Sequence, residues 1–176
     1  MPLELPRTLV DLPSVLLAKS GPILFTLWKP TKIESRHVRE AFEAMFTTVN
    51  PDRKRGSEGS PTPRWVLFVT VPKGATLPDD ETRNVIKGHM QRLQGSLVCG
   101  ATVIEEPGLT GVAQRAVVST LQLLSRPNHP EKTVSNVDDA AEFIVTQWRR
   151  AKRESEFTVS EIVSAYQRLR TQASAA

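Results

Sequence analysis

The side chains with the widest chemical range in this 176-residue sequence are His37, His89, His129 and Cys99. A zinc centre needs four converging nitrogen or sulfur ligands, usually in closely spaced pairs. These four residues lie in separate segments with no such spacing, so neither a metal site nor a cofactor is expected. His37 and His89 fall on helix-patterned stretches, where a lone imidazole is a surface or boundary residue. Cys99 leads into a strand, where a thiol behaves as a small buried hydrophobe. No basic partner that would activate it is identifiable, and no catalytic residue is assigned.

The acids form two clusters, Asp79-Asp80-Glu81 and Glu105-Glu106-Pro107-Gly108. Both follow strands, at the carboxyl edge where open α/β sheets place their ligands. An enzyme or ligand-binding site would therefore be sought there. Acids at these positions also complement the positive end of a helix dipole, with no site implied. The bases form two clusters as well, Arg53-Lys54-Arg55 and Arg149-Arg150 with Lys152-Arg153. Binding to nucleic acid needs several cations held on one face, whereas the second cluster also suits the negative end of a helix. Neither Gly-x-x-x-x-Gly-Lys-Ser/Thr nor Gly-x-Gly-x-x-Gly occurs, so the backbone cradle for nucleotide phosphates is missing.

These residues have to be carried by a folded chain, and the composition supports one. The chain is 39% hydrophobic and 24% charged, near globular averages, and long enough to bury a core without disulfides. Its single cysteine forms no internal bridge, which agrees with a reducing, cytoplasmic setting. No apolar run approaches the roughly 20 residues of a membrane span. The N-terminus lacks the basic and apolar regions of a signal peptide, so none is expected. A net charge of +4 and a pI near 9.5 are mildly basic and decide no partner.

Strands and helices alternate along the chain. Val15–Ala18 and Ile23–Trp28 are β-prone runs joined by Lys19-Ser20-Gly21-Pro22, which predicts a hairpin. Thr31-Lys32-Ile33-Glu34 has capping-box spacing, and Val38, Phe42, Met45 and Val49 then recur at helical intervals up to Asn50-Pro51. Residues 52–63 contain no apolar side chain and predict a flexible loop. Arg64–Val71 is apolar on both alternating faces, as a central strand would be. A helix over Asp79–Leu97, a strand at Gly100–Ile104 and a helix over about Leu109–Ser125 follow. Thr133–Ser135 predicts a short strand, and Ser135-Asn136-Val137-Asp138 a capped helix start. Thr158 and Glu161 form a capping box flanked by the staple pair Phe157 and Ile162, with a helix to about Arg170. Its stripe of Ile162, Val163, Tyr166 and Leu169 either closes the chain's own core or docks on another surface.

The fold class is thus α/β: a mixed, mainly parallel sheet with an N-terminal hairpin, helices against it and an extra C-terminal helix. Residues 1–14 read as an arm, 15–153 as the α/β domain, and 154–176 as a terminal helix and tail. This order of elements, with the helix start at Thr31 and the Ser135–Ile144 segment, resembles the STAS-like family, in particular its bacterial SpoIIAA-like branch of the anti-sigma-factor antagonist type. The resemblance covers roughly residues 15 to 150.

Members of the antagonist type carry a phosphorylated serine in an Asp-Ser-Ser-Gly motif at the start of the helix after the central strand. Here that loop reads Ala75-Thr76-Leu77-Pro78-Asp79-Asp80, so the motif is absent and Thr76 is its only hydroxyl, the sole candidate phosphoacceptor. The resemblance implies a non-catalytic regulatory module that docks a helix face on a protein partner or a second copy. Asp79, Asp80 and Arg83 would carry that contact. A basic nucleic-acid-associated factor and an enzyme or ligand-binding domain at the carboxyl edge are the competing readings.

Overall fold

The computed structural model describes residues 3–49, 65–125, 127–151 and 157–175. The loop 52–63, with Arg53, Lys54 and Arg55, and the pair Lys152 and Arg153 lie outside them. Six strands form one sheet in sequence order: β1 (Arg7–Asp11), β2 (Val15–Ser20), β3 (Ile23–Trp28), β4 (Trp65–Val71), β5 (Leu97–Ile104) and β6 (Glu131–Val134). The first two pairings are antiparallel and the remaining three parallel, so the sheet is mixed and mainly parallel, with β4 inside it. Strand β1 is the element that periodicity does not announce; it pairs with β2 within the N-terminal 14 residues. The Ser20–Ile23 turn is tight because Gly21 takes φ 52°, a left-handed conformation open to glycine.

Strand order equal to sequence order has a consequence for the helices. Each β-α-β crossover advances in the same direction, and right-handed crossovers then deliver every helix to the same face. Helices α1 (Ser35–Val49), α2 (Asp80–Leu93) and α3 (Gly108–Ser125) therefore share one face. The opposite face is left for α4 (Val137–Arg150) and α5 (Val159–Ala175). On this second face Phe25, Phe68, Ala101 and Val103 are buried under Ile144, Trp148, Ile162, Tyr166 and Leu169. The terminal stripe thus closes the chain's own core, with the Tyr166 ring tilted against Phe68 at 5.9 Å and Phe157 tilted against Trp148 at 5.3 Å.

Three local expectations change. The Thr31 capping box does not form: the Thr31 hydroxyl donates to the Pro13 carbonyl at 3.0 Å, the Glu34 carboxylate takes Arg36, and α1 starts at Ser35. The helix after Asp79 ends at Leu93, because Gln94–Ser96 tightens into a 3-10 turn and Leu97 already belongs to β5. The last helix runs to Ala175, five residues past Arg170. Its start is as expected, with the Thr158 N–H donating to the Glu161 carboxylate at 2.7 Å and the Glu161 N–H to the Thr158 hydroxyl at 3.3 Å.

Candidate functional site

Parallel register sets the floor of a cavity on the α1–α3 face. Leu24, Leu67, Gly100 and Glu131 stand in one row across β3 to β6, and Thr26, Val69, Thr102 and Thr133 in the next. Gly100 and Thr102 are too small to fill the layer beneath the helices, and α3 approaches it with the half-buried Val117, Val118 and Leu121. The result is an apolar chamber of about 130 Å³, walled by Phe42 and Met45 of α1, Ile86 and Met90 of α2, and the Thr76–Pro78 loop. Val69 and Val71 lie on an internal strand covered on both faces, yet both keep exposed surface, whereas Phe68 beside them has none. Helix α3 also turns Leu109, Val112, Leu123 and Leu124 outward, so it is apolar on both sides.

The chamber's polar groups are few and incompletely paired. Among the described residues, Thr26 Oγ1, Gln114 Oε1, Glu131 Oε2 and Thr82 Oγ1 are buried side-chain atoms without a hydrogen-bond partner. The first three belong to residues that line the cavity. Glu131 sits on β6 opposite Gly100, where a Cβ would already meet the Glu131 Cγ at 3.5 Å. Its Oε1 lies 3.2 Å from Nε2 of His129, with the two side chains 9% and 3% exposed. Gln114 on α3 donates its amide to the Ala75 carbonyl at 2.9 Å, which leaves its oxygen free. A buried polar atom without a partner costs about 1–3 kcal/mol, more when charged, so such atoms mark places where a ligand or water belongs.

The chain matches no family model, no curated protein and no solved structure.

The residues singled out by sequence divide into two groups. Thr76 lines the chamber at its mouth, its exposed hydroxyl 3.4 Å from the Thr31 carbonyl. Asp79 caps α2 by accepting the Thr82 N–H at 2.9 Å, and hydrogen bonding at Thr82 holds its carboxyl below the usual range. Asp80 is 93% exposed and pairs with Arg83 at 3.3 Å, and Arg83 also donates to the Pro78 carbonyl. The four residues thus share one loop and helix start. Arg149 and Arg150 are exposed in the last turn of α4.

The acidic clusters are occupied structurally. Glu81 takes Arg39 and Ser35, and Glu106 takes the Gly74 N–H. Glu105 accepts the Tyr166 hydroxyl at 2.7 Å and a two-pronged Arg170 at 3.0 and 3.2 Å. Burial and this carboxylate together push the Tyr166 phenol up. This group lines a cleft at the carboxyl edge, together with Lys29, which is paired to Asp11 at 2.7 Å.

Among the described residues no cluster of metal ligands exists. Burial pushes the Cys99 thiol up to about 12, which leaves it protonated and inert. His37 departs from the surface or boundary position expected of it. It is buried 3.0 Å from the Ser14 hydroxyl, in the first turn of α1, which starts three residues later than the capping-box spacing predicts. His89 is half-buried and stacked on Phe42 at 5.0 Å, and burial pushes it down. Sequence reasoning missed Glu131, Gln114 and Thr26. For Glu131 a signal existed: His129 and Glu131 alternate at a strand start and so share a face.

Proposed function

We propose that the chain is a small-molecule-binding module without chemistry of its own, in which a compact apolar ligand enters the chamber between the sheet and α1–α3. The observation that carries this reading is the accessible surface kept by Val69 and Val71 on an internal strand, above which neither α2 nor α3 closes. Close packing is the rule in protein interiors, and cavities of about 150 Å³ lined by apolar side chains bind benzene-sized molecules.

The docking role belongs to the same proposal. The 75–79 loop faces the chamber through Thr76, Leu77 and Pro78 and leads into Asp80 and Arg83 on the outside. A partner protein that reads the start of α2 would thereby sense whether the chamber is filled, in the manner of a cytoplasmic STAS-like regulator. The element order supports that likeness, whereas the helix start at Thr31 does not, because α1 begins at Ser35.

Toluene tests the chamber. At about a hundred times its Kd, a ligand specific for the folded state stabilises it by about 2.7 kcal/mol, so the thermal unfolding midpoint should rise. In Val69→Phe the added ring occupies the floor and the rise should vanish while the protein stays folded. A midpoint unmoved by toluene in the parent protein, or raised equally in the variant, would overturn the proposal.

A further inference from the structure

We infer that the chamber selects a single-ring apolar guest carrying an amine, and that Glu131 is the residue that recognises it; this rests on the chamber being a ligand site. Glu131 is nine-tenths buried, with Oε1 held by His129 at 3.2 Å and Oε2 left without a partner. A carboxylate oxygen in that state is the costliest of the unpaired atoms, and a guest N–H toward which the Glu131 carboxylate turns forms a charge-assisted hydrogen bond with it.

Gln114, with one amide N–H on the Ala75 carbonyl, leaves its Oε1 unpaired, a second acceptor oxygen on a lining residue. The Thr26 hydroxyl accepts or donates and so does not discriminate between guests. With acceptor oxygens unpaired on both Glu131 and Gln114, the chamber calls for a guest that brings donors. A guest carboxylate beside Glu131 would set two like charges together in a medium of low dielectric. Among the described residues Lys87, half-buried on α2, is the one cationic side chain on the lining, and it is the group a carboxylate guest would need.

Size narrows the class. About 130 Å³ suits one ring. Thr26 and Glu131 stand three strands apart, about 14 Å at the usual strand spacing, so a guest seated on Glu131 does not reach Thr26.

Three probes of similar size test the assignment: benzylamine, toluene and phenylacetate, each titrated at neutral pH into the whole chain and into Glu131→Gln, with amide chemical shifts as the readout. Benzylamine should bind about tenfold more tightly than toluene, and phenylacetate more weakly than either. In Glu131→Gln the amine and toluene should come within about threefold of each other. Toluene binding as tightly as benzylamine in the parent chain would refute the amine while leaving the chamber standing. Phenylacetate binding tightest would transfer selection to Lys87 and refute it too. An amine preference unchanged in Glu131→Gln would remove Glu131 from the role. No binding by any probe would overturn the chamber reading itself. The parent ranking decides the class whether or not the variant folds.

Discussion

Phe68→Ala should lower the unfolding free energy by about 3–5 kcal/mol, the range for removing a fully buried aromatic ring. Phe68 lies at the middle of β4 with no exposed surface, 5.2 Å from the Phe25 ring and 5.9 Å from Tyr166. It therefore joins the centre of the sheet to the terminal helix. Truncation leaves a hole that backbone held on both sides by β3 and β5 cannot collapse into, and it frees α5 from its principal aromatic contact. Because Phe68 points to the α4–α5 face, the chamber on the other side should survive in the fraction that stays folded. Urea unfolding measures the loss, and a toluene titration at low temperature checks the chamber. A cost below about 1 kcal/mol would mean that α5 is not held through Phe68.

Gly111→Ala is the second large effect, and its sign is the informative part. In an open helix, glycine to alanine stabilises by about 1 kcal/mol. At Gly111 an added Cβ would run into the carbonyl oxygen of Glu106, a main-chain atom that cannot swing aside. The segment carrying that carbonyl is fastened on both sides: Glu105 holds Tyr166 and Arg170, and Glu106 takes the Gly74 N–H at 2.7 Å. The displacement must go into α3. Three residues on, Gln114 ties α3 to Ala75, and beyond it Val117 and Val118 line the chamber. A loss of about 2–3 kcal/mol is expected, together with loss of toluene binding. An unchanged or increased stability with binding intact would show that α3 is free to shift and does not fix the chamber's wall.

The fold was legible in the sequence where periodicity and capping agree. Val38, Phe42, Met45 and Val49 form one apolar face on α1, and Thr158 with Glu161 starts α5. The apolar 65–71 run became an internal strand because both of its faces are covered. Strand β1 was hidden because Arg7–Asp11 is short and its register with β2 breaks between Thr8 and Val10, so no clean alternation marks it. At Thr31 the pattern of a capping box was present, but the Pro13 carbonyl competed successfully for the hydroxyl.

The candidate site was legible only at its mouth. Thr76, Asp79, Asp80 and Arg83 share the loop that follows the central strand, and loops at strand ends can be read from order alone. The chamber depends instead on which residues line up across four strands: Gly100 opposite Glu131, and Thr26, Val69, Thr102 and Thr133 in one row. Those residues are distant in the chain, and only the register brings them together. The volume left above them depends on how closely α3 approaches, which its composition, apolar on every side, does not specify.

The most direct test of the chamber is a toluene titration of protein labelled on its Ile, Leu, Val and Met methyl groups. Shifts should be confined to methyls that line the chamber, among them Met45, Val69, Val71, Ile86, Met90 and Leu121, while Ile23, Val66, Ile144 and Ile162 on the opposite face stay in place. Methyls unmoved on the α1–α3 face, or moved equally on both faces, would contradict a ligand chamber between the sheet and α1–α3.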